Sequence, residues 1–160
     1  SRVVVVGSSF IGMEAASYLT VNKPVASVTV IGMESVPFER VLGRDIGATM
    51  QRVAEKRGVD FRMESTVKRF EADEEGNVVA VELNSGERLA ADLVVIGAGV
   101  IPNTEFLRGT DLYRDGAVLV DSSLEAEADV FATAFAAGDI ARFPFGVTGK
   151  EIRVEHWDAA

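Results

Sequence analysis

The sequence predicts an α/β fold: a Rossmann-like parallel sheet with helices on one side, an antiparallel β-meander in place of one crossover helix, and a smaller second segment. The β-branched run at residues 2–6 lacks alternation, which is typical of a strand buried on both faces of a parallel sheet. A helical pattern at 10–21 and a β-rich run at 26–31 follow, and together they have the size of one βαβ unit. Short runs separated by turns at residues 66–89 predict a three-stranded meander.

The remaining elements follow from the same patterns. We expect a second covering helix at residues 43–57, because apolar positions line one face and Gly58 caps its end. Further strands are expected at 59–63 and 92–96, and the pattern of residues 102–107 indicates a short helical turn. Two short strands are predicted later, at 117–120 and 134–137.

Organisation loosens after residue 109. The final residues, 141–160, show no periodicity and suggest a tail that packs against something else. The pattern therefore indicates a change of organisation near residue 109.

Composition excludes several classes of function. The formal net charge of −9 disfavours binding to polyphosphate backbones, so nucleic acid is not an expected partner. The sequence has no cysteine and one histidine, His156, which rules out a disulfide framework, a thiolate metal site and a local Ser/His/Asp triad. No apolar run approaches the roughly 18 residues of a membrane span. We expect the chemistry to come largely from a bound cofactor, with no metal, and the sequence does not indicate a cellular location.

The turn between the first strand and the first helix has the pattern of a dinucleotide site. It reads Gly7-Ser8-Ser9-Phe10-Ile11-Gly12. A pyrophosphate requires a tight turn, close backbone approach and the positive end of a helix, and the two glycines are placed for the turn and for close helix packing. Ser9 stands where the fingerprint has its middle glycine, and its hydroxyl can donate a hydrogen bond in return. The alternative is an ordinary strand-to-helix turn.

The choice between NAD and NADP depends on the end of the second strand. A carboxylate there binds the adenosine ribose hydroxyls in NAD sites, but this chain has Gly32 at that position. Glu34 could supply the carboxylate from the loop, and the nearest arginine that could hold a 2′-phosphate is Arg40. The sequence therefore favours NAD(H) over NADP, unless Glu34 is only a solvated loop residue.

Four segments in register resemble one known family, the pyridine-nucleotide-dependent FAD flavoprotein reductases. Within it, the sequence looks most like the apoptosis-inducing-factor-like proteins and the ferredoxin, rubredoxin and dioxygenase-system reductases. The four segments cover residues 5–14, 97–104, 135–141 and 153–157.

The resemblance implies that residues 1–109 form an NAD domain and residues 110–160 the returning segment of an FAD domain. The first FAD half and a C-terminal domain are then expected to lie outside this chain. Hydride would pass from NADH to FAD, and electrons would pass on to a ferredoxin-type or Rieske-type protein or to a quinone. No side chain is expected to act as a catalytic acid or base.

The resemblance also implies roles for individual residues near the nicotinamide. Ile11 would lie against the nicotinamide, although an apolar residue there could equally be core. Glu14 falls on what the pattern indicates is the apolar side of the helix, where a carboxylate is costly unless it is paired. The family places this residue near the nicotinamide carboxamide. The backbone of Gly97, Ala98 and Gly99 would approach the nicotinamide ribose, or simply end a strand.

Further roles concern the flavin. Gly138 and Asp139 would bind its ribityl chain, and His156 and Trp157 would lie beside its ring system. The alternatives to a flavoprotein reductase of this branch are a flavin-free NAD(H)-sensing module and a fragment of a disulfide reductase or monooxygenase.

The second segment also raises a prediction about association. Its apolar strand residues would lose their natural neighbours in this chain, and exposed apolar strands favour self-association. We therefore expect a homo-oligomer formed through Val118, Val120, Phe131 and Phe135, with disorder of this segment as the alternative.

Overall fold

The computed structural model describes residues 1–22, 25–114, 116–126 and 134–154. The chain divides into two compact units, Ser1–Gly99 and Val100–Ala160. No helix among the described residues is long and apolar enough to cross a membrane.

The first unit contains ten elements. In chain order they are β1 (Arg2–Val6), α1 (Phe10–Asn22), β2 (Ser27–Ile31), α2 (Glu39–Leu42), α3 (Arg44–Glu55), β3 (Val59–Arg62), β4 (Val67–Ala72), β5 (Val78–Leu83), β6 (Arg88–Ala90) and β7 (Leu93–Ile96). A four-stranded parallel sheet has the order β3-β2-β1-β7, and β4, β5 and β6 form a separate antiparallel sheet. The predicted strands, first helix and meander are confirmed.

The two faces of the parallel sheet bury different partners. Val3 and Val5 of β1 pack with Met13 and Ala16 of α1 in one cluster. Val4, between them on the opposite face, packs with buried residues of the meander such as Leu83. Successive side chains of a strand alternate between faces, so a continuous valine run can serve both layers. Helices therefore cover one side and the meander the other, as expected.

The region of the second covering helix differs from the prediction. The pattern indicated one helix at residues 43–57, whereas the structure has a single turn, α2, and then α3 from Arg44 to Glu55. Gly43, with a φ of 80°, separates the two. With a ψ of 168° as well, Gly43 is far from helical geometry, so α3 begins one residue later.

The second unit is built from short pieces. Its strands are β8 (Val118–Leu119), β9 (Ala141–Phe145) and β10 (Lys150–Ile152), and 3₁₀ turns occupy Glu105–Leu107 and Gly138–Ile140. β8 pairs with β9 in parallel, and β9 and β10 form a hairpin. The helical turn expected at residues 102–107 is thus present in shorter form.

Three expectations for this unit are wrong. The strand predicted at 134–137 is reduced in the described residues to one bridge, between Glu125 and Phe135. The final residues include a hairpin instead of an aperiodic tail. Val118 and Val120 are buried, because they pack in a local cluster with three alanines, Ala126, Ala136 and Ala141.

The prediction of self-association now depends on Phe131 and Phe135 alone. Phe135 is 66% exposed, and Phe131 lies outside the described residues. Self-association stays a prediction, now without two of the four residues on which it rested.

The boundary at residue 109 is a prediction about the two domains of a longer protein. Within this chain the compact units divide earlier, after Gly99. Leu107 packs against the second unit's cluster, and the Thr104 hydroxyl donates to the carbonyl oxygen of Gly116 at 3.1 Å.

Candidate functional site

A cavity of about 450 Å³ opens at the carboxyl ends of β1, β2 and β7. The chain moves from β1 to β2 and β3 on one side and returns to place β7 on the other side of β1. In open parallel sheets, ligands bind outside the carboxyl ends of the strands at such a change of direction. The lining consists of five chain segments: residues 6–9, 31–34, 38–41, 65–67 and 97–99.

The turn after β1 depends on missing side chains. Gly7 has a φ of 110°, and a Cβ there would collide with the carbonyl oxygen of Gly97. A Cβ on Gly12 would in turn collide with the carbonyl oxygen of Gly7. The two glycines therefore allow the turn, α1 and the end of β7 to pack backbone against backbone.

The start of α1 supplies donors beside this turn. The Ser9 carbonyl oxygen accepts the first helical hydrogen bond, from the Met13 N–H at 2.9 Å. The N–H groups of a helix's first turn have no acceptor within the helix, and they carry the positive end of its dipole. No acidic side chain lies in the first turn of α1. This end of the helix is thus suited to an anionic group.

The end of β7 forms the opposite wall. The Gly97 N–H donates to the Val6 carbonyl oxygen at 2.7 Å. A Cβ on Gly97 would lie 3.1 Å from the Gly12 nitrogen, whereas one on Gly99 would meet nothing within 4 Å. Gly97 therefore serves packing, while the bare backbone of Ala98 and Gly99 lines an open part of the cavity.

The end of β2 carries the acidic group. Glu34 is held at both oxygens: the Ser8 hydroxyl donates to Oε2 at 3.3 Å, and the Nε of Arg40 lies 2.6 Å from Oε1. Its side chain is 19% exposed, against 71% for Arg40. Glu34 is therefore an oriented carboxylate at the cavity wall, not the freely solvated loop residue that the sequence left open.

A second carboxylate is fixed near Glu34. The Ser35 hydroxyl donates to Glu39 Oε2 at 2.8 Å, and the backbone N–H groups of Ser35 and Val36 donate to the same oxygen. These bonds, first the one from the hydroxyl, hold the pKa of Glu39 below its usual range. Glu39 therefore stays ionised at the edge of the cavity.

Sequence reasoning missed Phe38. Its φ is 60°, it is buried, and its N–H donates to the Ser8 carbonyl oxygen at 2.9 Å. Its ring lies 5.4 Å from that of Phe10, between ring centres. A bulky residue in the left-handed region is rare, and no pattern in the sequence signals one. Met33 and Thr66 also line the cavity and had not been singled out.

The predicted site residues are only partly brought together. The cavity is lined by Gly7, Ser8, Ser9, Glu34, Gly97, Ala98 and Gly99. Gly12 supports it from behind, and Phe10 and Ile11 are 50% and 62% exposed outside the lining.

Glu14 departs from its expected environment. It is exposed, and it borders a smaller hollow of about 210 Å³ between α1 and α3. The expectation that it lies on the apolar face of α1 is wrong, because Gly12, Met13 and Ala16 form that buried face instead.

The residues expected near a flavin belong to the second unit. Gly138 and Asp139 form a 3₁₀ turn that leads into β9, and Asp139 is exposed. His156 and Trp157 lie outside the described residues.

Comparisons with known proteins converge on one family. The model for the pyridine nucleotide-disulphide oxidoreductases matches residues 1–160. Apoptosis-inducing factor 3 of Mus musculus is 35% identical over 158 residues, which are 98% of this chain and 26% of that protein. The ferredoxin–NAD(+) reductase component of the anthranilate 1,2-dioxygenase system of Burkholderia cepacia is 33% identical over 99% of this chain and 37% of its own length.

The solved structures agree. The covalent putidaredoxin reductase–putidaredoxin complex contains a chain that matches 99% of this one with a TM-score of 0.87 and 31% identity, over 37% of its own length. This chain thus spans between about a quarter and somewhat over a third of the proteins it resembles.

Proposed function

The chain belongs to the pyridine nucleotide-disulphide oxidoreductase family, and from that membership we propose that it is the NAD(H)-binding portion of an FAD-dependent oxidoreductase that takes hydride from NADH. One observation carries the proposal. The turn after β1, up to Ser9 immediately before α1, the Glu34 side of β2 and the backbone after β7 all border a single cavity. This is the set of groups that a dinucleotide needs, at the place where parallel sheets bind one.

Each part of this site takes a part of NADH. The turn from Gly7 to Gly12, with the start of α1, binds the pyrophosphate, and the Ser9 hydroxyl adds a donor. Glu34 accepts hydrogen bonds from the adenosine ribose hydroxyls. The backbone of residues 97–99 approaches the nicotinamide ribose. Ile11 and Glu14 lie outside the cavity lining, and their role beside the nicotinamide is proposed from the family alone.

The pyrophosphate proposal is supported by the close packing of the turn. Carbonyl oxygens of Gly97 and Gly7 occupy the places that a Cβ on Gly7 and on Gly12 would take, so side chains there would disrupt the turn that leads to the N–H groups at the start of α1. A phosphate placed there replaces water as the acceptor of those groups.

The second segment carries the proposed flavin contacts, Gly138, Asp139, His156 and Trp157. FAD, when bound, supplies the hydride acceptor. The side chains of this part of the protein do no acid–base chemistry; they orient the nicotinamide and exclude water from it.

The electron acceptor is proposed from the relatives. A ferredoxin reductase of a dioxygenase system and a putidaredoxin reductase in complex with putidaredoxin both match nearly the whole chain. We propose a small iron–sulfur protein, of the ferredoxin or Rieske type, and retain a quinone as the alternative. A flavin-free NAD(H) sensor is less well supported, because the family match continues through residues 100–160.

The test is calorimetry of this 160-residue chain with NADH, NADPH and FAD. We expect weak NADH binding, weaker NADPH binding and negligible FAD binding, since a second glycine fingerprint for the FAD pyrophosphate is absent from these residues. FAD retained stoichiometrically through purification, or no binding of NADH, would contradict the proposal.

Nucleotide preference is tested by Glu34→Ala. Loss of hydrogen bonds to a carboxylate should weaken NADH binding about tenfold, whereas NADPH binding should be unchanged or improved. Glu74→Ala, in an exposed turn of the meander outside the cavity, is the matched control. An equal loss for both nucleotides would show that Glu34 does not read the ribose.

A further inference from the structure

The space above Gly32 is filled by the side chains of Ser8 and Met63, and the Met63 Cε, at the flexible end of its side chain, would lie 2.7 Å from a Cβ there. A Cβ on Gly32 would lie 2.5 Å from the Ser8 Oγ and 2.8 Å from the Ser8 Cβ. Ser8 is 5% exposed, so its side chain has little room to move away. A side chain at the end of β2 and the serine in the turn after β1 therefore exclude each other.

The same hydroxyl holds the acidic group. Ser8 Oγ donates to Glu34 Oε2, while Arg40 occupies the other oxygen. The Glu34 backbone is also fixed, because its carbonyl oxygen accepts from the Glu64 N–H at 3.0 Å. A carboxylate has about four lone-pair positions. Each Glu34 oxygen thus keeps one for a ribose hydroxyl after its protein partner is bound.

These contacts form one linked arrangement. Position 32, where NAD sites place a carboxylate, has no side chain, and Glu34 lies two residues further along the chain. The Ser8 hydroxyl crowds the first position and donates to the carboxylate at the second.

We propose that Ser8 is a positioning residue for nucleotide specificity: it holds the Glu34 carboxylate toward the adenosine ribose and thereby selects NADH over NADPH. This inference rests on the proposed function, since it requires that the cavity binds a pyridine dinucleotide. Ser8 acts through Glu34 and need not touch the nucleotide.

Arg40 has a secondary part in this arrangement. Its guanidinium offsets the charge of Glu34 and so weakens the repulsion between that carboxylate and a 2′-phosphate. The selectivity that Glu34 itself supplies then depends on how its oxygens are oriented toward the ribose hydroxyls. That dependence is what makes the Ser8 hydroxyl important.

The experiment is a double-mutant cycle on this chain with Ser8→Ala, Glu34→Ala and the combination, measuring NADH and NADPH dissociation constants by calorimetry. Loss of one hydrogen bond to a carboxylate should weaken NADH binding about three- to tenfold in Ser8→Ala. NADPH binding should change less than about twofold, and in the Glu34→Ala background Ser8→Ala should have no effect on either nucleotide.

Gly32→Ala is a second, independent variant. Its methyl group would displace the Ser8 side chain and should reproduce the loss of NADH preference with Ser8 still present. Combining it with Ser8→Gly removes the clash without restoring the hydrogen bond, so the preference should stay low. Thermal unfolding of each variant separates this loss from a failure to fold.

The outcomes distinguish the two proposals. If the unsubstituted chain binds neither nucleotide, the proposed function fails and this inference fails with it. If NADH binds but Ser8→Ala lowers both affinities equally, or acts equally in the Glu34→Ala background, the inference is overturned while the proposed function stands.

Discussion

The two compact units reach similar degrees of local burial by different means. In the first, strands of four to six residues place valine, isoleucine and leucine into clusters on both faces of the parallel sheet. In the second, β8 has two residues, and three of the five buried members of the cluster are alanines. Large side chains in long strands produce a visible periodic pattern, and small side chains in short strands do not. Secondary structure is therefore easiest to predict from the sequence in the regions where each residue buries the most apolar surface.

The largest expected effect contrasts a glycine from each unit. Gly7 and Gly109 both have positive φ, 110° and 84°, but only Gly7 has backbone atoms where a Cβ would lie. Gly109→Ala should cost about 1–2 kcal/mol from the left-handed conformation alone. Gly7→Ala should cost about 3 kcal/mol or more, because the turn must also move away from Gly97.

Denaturant unfolding followed by circular dichroism measures both costs, and calorimetry should show NADH binding lost only in Gly7→Ala. Equal costs for the two variants would mean that the crowding at Gly7 relaxes easily. That outcome would remove the packing argument for the β1–α1 turn.

A smaller effect contrasts two fully buried valines, Val30 in β2 and Val120 beside β8. Truncation to alanine removes about 1.6 kcal/mol of transfer free energy at either site. Val30 lies between a sheet and its helices, which cannot close around a cavity, so Val30→Ala should cost about 1 kcal/mol more than Val120→Ala.

Amide hydrogen exchange measured separately in β2 and β9 tests this difference, because it reports the opening free energy of each unit. A larger cost for Val120→Ala would show that the alanine-rich cluster is the more rigidly packed of the two. The contrast between the units would then be reversed.

The smallest effect depends on pH and concerns the edge of the first unit. The Arg2 guanidinium and then the Arg2 backbone N–H donate to Asp92 and lower the pKa of that carboxyl from its ordinary 3.8 to about 2. A depressed pKa means that the stabilisation is present above pH 3.8 and is lost as the pH falls through 2. Asp92→Asn should therefore lower the melting temperature slightly at pH 7.

That deficit should shrink below pH 4 and vanish near pH 2. Asp60→Asn, an exposed aspartate in β3, is the control and should show no such convergence. A deficit in Asp92→Asn that persists unchanged at low pH would place its origin outside the contact with Arg2.

The same difference between the units explains what the sequence could predict. The valine run in β1 specified a strand buried on both faces, and Gly7 and Gly12 specified the turn that the structure has. Periodicity placed Glu14 on the wrong face of α1. The buried face is formed by Gly12, Met13 and Ala16, and Glu14 lies on the exposed face. Elsewhere, the positive φ of Phe38 follows from its burial and its bond to Ser8, which are tertiary contacts that no local pattern encodes.

In the candidate site, the sequence identified Glu34 but not what holds it. The contacts of Ser8 and Arg40 with Glu34 join residues that only the fold brings together. In the second unit, residues 134–137 were expected to form a strand, but the described residues there make only an isolated bridge between Glu125 and Phe135. An isolated bridge leaves no periodic signal, so the sequence could not distinguish it from a short strand.

The position of β1 in the sheet has a consequence for how the protein is made. One edge of β1 pairs with β2 soon after synthesis, but the other waits for β7, where Val3 meets Leu93. At about 5–20 residues per second, that partner leaves the ribosome on the order of ten seconds later. Until then β1 presents an edge of unpaired backbone N–H and C=O groups within a valine-rich segment, the kind of edge that mispairs with other strands. The wall at Gly97 also arrives last, so no dinucleotide can assist the nascent chain before the sheet is complete.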